Sequence, residues 1–138
     1  MKEVLNMAKA KSLKQLSFTR PNRAGLLSEI TTAIADAKVN INSIYAYEKE
    51  DSAYFMLSTD SNAKAKKALA GLGVEITEED VVAVEMPNRA GELQKVAKRI
   101  ADAGININYM YGTTGTGKSA ICIFKTADNK KAVRVIKK

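Results

Sequence analysis

Histidine is absent from this chain, and with it go the commonest general base, the commonest metal ligand and any Ser-His or Cys-His nucleophile pair. Most hydrolase and zinc-site chemistries end there, so the chain is expected to be no enzyme and to use no metal and no cofactor. Tryptophan is also absent, and the single cysteine, Cys122, has no partner for an internal disulfide. Its place in the apolar run Ala120 to Phe124 makes it a buried, inert thiol. No apolar stretch approaches the length needed to span a bilayer, and Met1 to Ser12 carries lysines without the continuous apolar core of a secretory signal. A cytoplasmic protein with no membrane partner is the expectation. Proline is scarce too, and both copies fall in one repeated motif.

The rest of the composition is ordinary for a globular chain: 46% hydrophobic and 27% charged residues exclude both disorder and a membrane class. The formal net charge of +7 suits nucleic acid, anionic lipid or acidic ligands. Much of that excess lies near the ends, at Lys9, Lys11, Lys14, Arg20 and Arg23, and at Lys130, Lys131, Arg134, Lys137 and Lys138. It reads as scattered solubilising charge.

The dominant signal is a duplication. Pro21-Asn22-Arg23-Ala24-Gly25 recurs as Pro87-Asn88-Arg89-Ala90-Gly91, an offset of 66 residues. At the same offset Ile34 to Ala37 recurs as Ile100 to Ala103, Asn40-Ile41-Asn42 recurs as Asn106-Ile107-Asn108, and Tyr45 matches Tyr111. After one extra residue Ser52-Ala53 aligns with Ser119-Ala120 and Thr59 with Thr126.

Both copies run through the same periodicities. Leu13 to Thr19 is β-favouring, with Leu16 and Phe18 on one face, and stops at Pro21; Val81 to Met86 is its counterpart, stopped by Pro87. Leu27, Ile30, Ile34 and Ala37 then mark the buried face of a helix, repeated by Leu93, Val96, Ile100 and Ala103. Gly104 suits a left-handed C-cap, a position that Lys38 fills less comfortably in the first copy. Ile41 to Tyr47 and Ala53 to Ser58 form a hairpin around the polar turn Glu48 to Ser52; Ile107 to Tyr111 and Ala120 to Phe124 are its counterpart. A second helix comes next, carried by Ala65, Ala68, Leu69 and Leu72 and begun near Asp60 or Ser61, and Val74 to Thr77 makes a fourth strand. The expected fold is therefore α+β: two ferredoxin-like βαββαβ modules in tandem, the second lacking its last strand. The expected boundaries are an extension over residues 1–12, a first module over 13–78 and a truncated second module over 79–138. The vacant edge calls for a cover, either the N-terminal piece Lys2 to Met7 or a second chain.

A glycine-containing loop between first strand and first helix, with Asn-Ile before the second strand, resembles the ACT domain family, twice and in register. These are regulatory modules of amino-acid metabolic enzymes and of stand-alone tandem proteins. The resemblance implies modules paired side by side through their sheets, with an amino acid or similar small metabolite at the seam. It also implies a homodimer and a regulated protein partner. Carried over by position, the ligand-facing residues are Asn22, Arg23, Ala24, Gly25 and Leu26, with Asn88, Arg89, Ala90, Gly91 and Glu92. Asn40, Ile41 and Asn42, with Asn106, Ile107 and Asn108, would face the same seam.

The chemistry of these residues fits that placement. A loop entering a helix presents backbone N–H groups and the positive end of a dipole to a carboxylate, and asparagine offers a donor and an acceptor to a zwitterion. The plainer account is that Asn22 and Asn88 cap turns, that Gly25 and Gly91 permit tight entry, and that Arg23 and Arg89 are solvated. Leu26 against Glu92 breaks the symmetry, so two sites would differ in preference or occupancy.

Two other classes compete. Gly112 to Ser119 fits the phosphate-loop pattern G-x-x-x-x-G-K-[ST], but that pattern needs a helix after it, and the next residues here, Ala120 to Thr126, are a β-favouring run. A glycine-rich hairpin tip, serving as a lid on the neighbouring site, accounts for it better. Ferredoxin-like sheets also bind RNA, and Tyr45, Tyr47 and Tyr54 lie on adjacent strands. No strand carries the basic-aromatic signature of such modules, so nucleic acid is not the expected partner.

Overall fold

Proline and glycine punctuate the chain where the strands and helices stop. The computed structural model describes residues 8–114 and 117–137. In chain order the elements are β1 (Lys9–Pro21), α1 (Leu26–Asp36), β2 (Ile41–Lys49), β3 (Ser52–Thr59), α2 (Asn62–Ala70), β4 (Thr77–Pro87), α3 (Glu92–Asp102), β5 (Ile107–Thr114), β6 (Ser119–Thr126) and α4 (Asn129–Lys137). The order βαββα occurs twice, and the chain divides into two units: Lys14–Glu79, and the described residues up to Leu13 together with those from Asp80 onward.

In the first unit β3 pairs antiparallel with both β1 and β2. Period-two alternation puts Leu16 and Phe18 of β1, with Ala53, Phe55 and Leu57 of β3, on the face that α1 and α2 cover. Phe18 stacks on Phe55 directly across the pair, ring centroids 4.9 Å apart. The helices add Ile30, Ile34, Ala65 and Leu69 to this core. The β2–β3 turn is two residues long, and Glu50 and Asp51 both take positive φ, as a hairpin of matched twist requires.

The second unit repeats the plan. β6 pairs with β4 and β5, and Val82, Val84, Met86, Cys122 and Phe124 meet Val96, Ile100, Ala132 and Ile136 of α3 and α4. Its edge beside β4 is filled by the N-terminal half of β1: Ala10 is buried in this core and Ala8 packs against it, while Lys9 and Lys11 point to solvent. The Ala-Lys-Ala-Lys run at 8–11 alternates as a half-buried strand should. Residues 2–7, the expected cover, lie outside the described residues.

Two details differ from the expected pattern. Val74 to Ile76 do not form a strand: Gly73 turns the chain at φ +77°, Val74 seals the first core, and the strand begins at Thr77 and runs unbroken to Pro87. The first helix of each unit is also phased one residue earlier than its leucines suggested. Leu27 and Leu93 are exposed, whereas Leu26 and Glu92 face inward. Positions 26, 30 and 34 and positions 27, 30 and 34 both satisfy helical spacing, so periodicity alone could not choose between them. The position of the entering glycine decides it.

The strand-to-helix elbows as a candidate functional site

Each first strand ends at proline and reaches its helix through four residues, Asn22 to Gly25 and Asn88 to Gly91. Gly25 (φ +85°) and Gly91 (φ +86°) are the helix N-caps, in the left-handed region that L side chains rarely adopt. Added side chains would meet nothing within 4 Å, so backbone conformation rather than crowding selects glycine. The loops are pinned alike: the Asn22 amide donates to the Asp51 carbonyl and the Asn88 amide to the Lys118 carbonyl, each at 2.8 Å.

These helix starts differ from the other two. Ser61 Oγ accepts from the Lys64 amide at the head of α2, and Asp128 Oδ1 accepts from the Lys131 amide at the head of α4. At α1 and α3 the cap is glycine and no side chain takes that role. The amides of Leu26 and Glu92 turn back to the Arg23 and Arg89 carbonyls, and no capping side chain covers the rest of the first turn, where the positive end of the helix dipole meets the elbow.

Beside the first elbow lies an open cavity of about 280 Å³. Leu26, Ala46, Ala53 and Phe55 give it an apolar base, and Asn22, Arg23, Tyr47 and Glu48 line the rest. Asn22 Nδ2 donates to Glu48 Oε2 at 2.8 Å, which ties the loop to the end of β2. Arg23 is salt-bridged to Glu29 of α1. Of the residues expected from sequence, Asn22, Arg23, Gly25 and Leu26 line this cavity, and Ala24 sits exposed in the loop between them.

The second elbow shares the backbone but not the chemistry. Where Leu26 is 3% exposed, Glu92 is 7% exposed, a buried carboxylate among partners. Lys95 Nζ lies 3.1 Å and Arg89 Nη2 3.5 Å from Glu92 Oε2. Asn88 Nδ2 donates to the Gly117 carbonyl, and Ala90 and Gly91 are exposed in the loop. Strand register puts Gly112 and Cys122 where the first unit has Ala46 and Phe55. A side chain on Gly112 would come within 2.6 Å of Cys122 Sγ, and burial pushes that thiol's pKa up by desolvation.

Asn40 to Asn42 and Asn106 to Asn108 do not join the elbow of their own unit. They sit at the start of β2 and β5, whereas the elbow lies near the other end of those strands, roughly 25 Å away at about 3.3 Å per residue. Asn40 instead exchanges bonds with Asp60: its amide donates to Asp60 Oδ1, and its carbonyl accepts from the Asp60 amide. The Asn106 carbonyl likewise accepts from the Ala127 amide. Asn42, Ile107 and Asn108 are exposed and Ile41 is half-buried against the first core. This end carries a second duplicated network unforeseen from the sequence. Thr59 Oγ1 donates to Asn62 Oδ1 and Asn62 Nδ2 to the Lys14 carbonyl; Thr126, Asn129 and Asp80 repeat it. Its hints were the matched Thr59 with Thr126 and Asn62 with Asn129, both pairs at one offset.

The phosphate-loop pattern is built as a hairpin. β5 runs into it as far as Thr114 and β6 begins at Ser119, so among the described residues no helix start stands where phosphates would sit; Gly115 and Thr116 lie outside the described residues. Tyr47 stacks on Tyr54 with ring centroids 5.0 Å apart, and Tyr45 lies tilted against Tyr47 at 5.4 Å. Among the described residues no cluster of side chains is placed to hold a metal ion, and no helix is long and apolar enough to cross a membrane.

A sequence profile described as an ACT domain pair matches residues 11–138. A crystal structure of a Bacteroides thetaiotaomicron protein is similar at 29% identity and a TM-score of 0.86, covering 93% of this chain and 88% of that one. The regulatory subunit of aspartate kinase from Thermus thermophilus, in its ligand-free form, shares the fold at 16% identity and a TM-score of 0.67, with 94% and 93% covered. The aspartokinase alpha and beta subunits do so at 19% and 0.66, with 94% of each chain covered. No curated protein sequence matches the chain.

Proposed function

The chain belongs to the ACT domain pair family, and on that premise we propose that it is a regulatory sensor of amino acids rather than an enzyme. The ligand sits at the strand-to-helix elbow, its carboxylate at the helix N-terminus. The observation that carries this reading is the contrast among helix starts: two are capped by side chains, and the two elbow helices start at left-handed glycines without such a cap. A cavity of about 280 Å³ beside one of them falls just below the roughly 300–1,000 Å³ typical of drug-sized ligands, a size suited to a single amino acid. Arg23 and Arg89, each facing a carboxylate of its own helix, order the loop instead of clamping the ligand.

Signalling then arises from differential affinity: an amino acid that favours one arrangement shifts the chain toward it and changes how it pairs with a partner. The partners are a second copy of the chain and a regulated protein, in the cytoplasm. The edge strands support association, since Ile44, Tyr45 and Tyr47 of β2 and Ile107 and Met110 of β5 are exposed large apolar side chains.

A thermal-shift screen against the proteinogenic amino acids tests the reading. Binding to the folded form alone adds about 2.7 kcal/mol at a hundredfold excess over Kd, a rise of several degrees in Tm. A flat response to all of them, alongside salt-sensitive binding to single-stranded RNA, would move the function to nucleic acid.

A further inference from the structure

The two elbows invite a comparison of what each could hold. The first has an apolar base of Leu26, Ala46, Ala53 and Phe55, and a carboxylate at the rim of the strand, Glu48, that accepts from the neutral Asn22 side chain. In the second, by register, Gly112 and Cys122 replace Ala46 and Phe55, and Thr114 stands at the position of Glu48. Its carboxylate has moved to the first residue of the helix, where Glu92 is buried beside Lys95 and Arg89.

Those differences decide between ligand classes. A zwitterion with an apolar side chain needs an anion-binding helix start, a carboxylate for its ammonium and an apolar surface for its side chain; the first elbow has all three. At the second, Leu26 is replaced by Glu92, which Lys95 and Arg89 hold as an ion pair, and Gly112, Ala120 and Cys122 offer an apolar side chain far less surface than Leu26, Ala46, Ala53 and Phe55. An uncapped helix start is common to both and does not discriminate. The wall and base residues do.

Resting on the sensor reading above, we propose that position 26/92 sets selectivity: the first elbow binds one amino acid with an apolar side chain, and the second elbow does not. Leu26, Ala46, Ala53 and Phe55 receive the side chain, and Glu48 receives the ammonium.

Isothermal titration of the full chain with L-leucine, L-phenylalanine, L-lysine and L-aspartate tests this. At least one of the two apolar amino acids should bind at one equivalent per chain, and at least about tenfold more tightly than either charged one. Ala46→Trp places bulk in the cavity from an exposed position, so it tests the site without disturbing the core. Glu48→Gln removes the ammonium partner. Each should weaken binding about tenfold or more, the scale of a lost charged hydrogen bond. Leu26→Glu, which copies the second elbow, should abolish binding while its melting curve reports whether it folds. Two equivalents per chain, or unchanged affinity in Ala46→Trp, overturns the proposal. Binding of lysine or aspartate in place of the apolar pair overturns the selectivity and leaves the sensor reading standing. Silence from all four, with no response in the thermal screen, removes both.

Discussion

The two elbows share their entering glycine conformation and their pinning hydrogen bonds and have dissimilar interiors. Their glycines differ by one degree in φ, their loop amides donate to the hairpin tip at the same 2.8 Å, and the amides of Leu26 and Glu92 reach back to the arginine carbonyl at 3.2 and 3.3 Å. Yet Leu26 faces Glu92 across the alignment, and Phe55 faces Cys122. Conformation has been held through the duplication where chemistry has drifted. The shared feature is a helix start shaped to receive an anion, and the variable feature is its surroundings.

The strongest perturbation of that symmetry lies where β1 and β4 begin. Ala10 is 3% exposed and packs in the second core, whereas Thr77, at the start of β4, is exposed. Ala10→Asp should destabilise the chain by more than about 3 kcal/mol, because the carboxylate would be buried unpaired. Thr77→Asp should stay within about 0.5 kcal/mol, as surface changes do. Urea unfolding monitored by circular dichroism measures both; comparable effects would mean that the N-terminal half of β1 is not a core strand.

Next come the paired core positions. Leu69 and Ile136 are both fully buried in the second helix of their unit. Truncating either to alanine should cost about 2–5 kcal/mol, and a large inequality would show that the two cores collapse differently around a void. Smaller still are the elbow glycines. Gly25→Ala and Gly91→Ala should each cost about 1–2 kcal/mol, and equally, since neither methyl meets an atom within 4 Å. Unequal penalties would break the claim of matched backbones. Ser61→Ala and Asp128→Ala, which remove the caps that α1 and α3 lack, should each cost about 1 kcal/mol in the same assay.

The duplication, the hairpins, the left-handed Lys38 and Gly104 and the helix order were all legible in the residues, because each rests on local chemistry repeated at a fixed offset. Three things were not. The Ala-Lys-Ala-Lys strand at 8–11 has the right alternation but weak β propensity, and its place depends on an edge left open by residues far along the chain. The helix phase was hidden because adjacent leucines at 26 and 27 satisfy the same spacing; in the second copy the apolar choice, Leu93, pointed outward, and the charged Glu92 was the buried one. Finally, Asn40 to Asn42 stand only fifteen residues past the elbow glycine, yet the helix between carries them to the far end of the sheet, where they tie a turn. The family resemblance grouped them with the elbow at one seam, whereas within each unit the fold keeps the two ends apart.

The most direct test of the elbow as a ligand site is an amide chemical-shift titration of the ¹⁵N-labelled chain with the amino acid that raises its Tm most. The largest shifts should fall on Gly25 to Ser28 and on Ala46 to Glu48. Shifts confined to Asn40 to Asn42 and Asp60, with the elbow amides unmoved, would contradict the account.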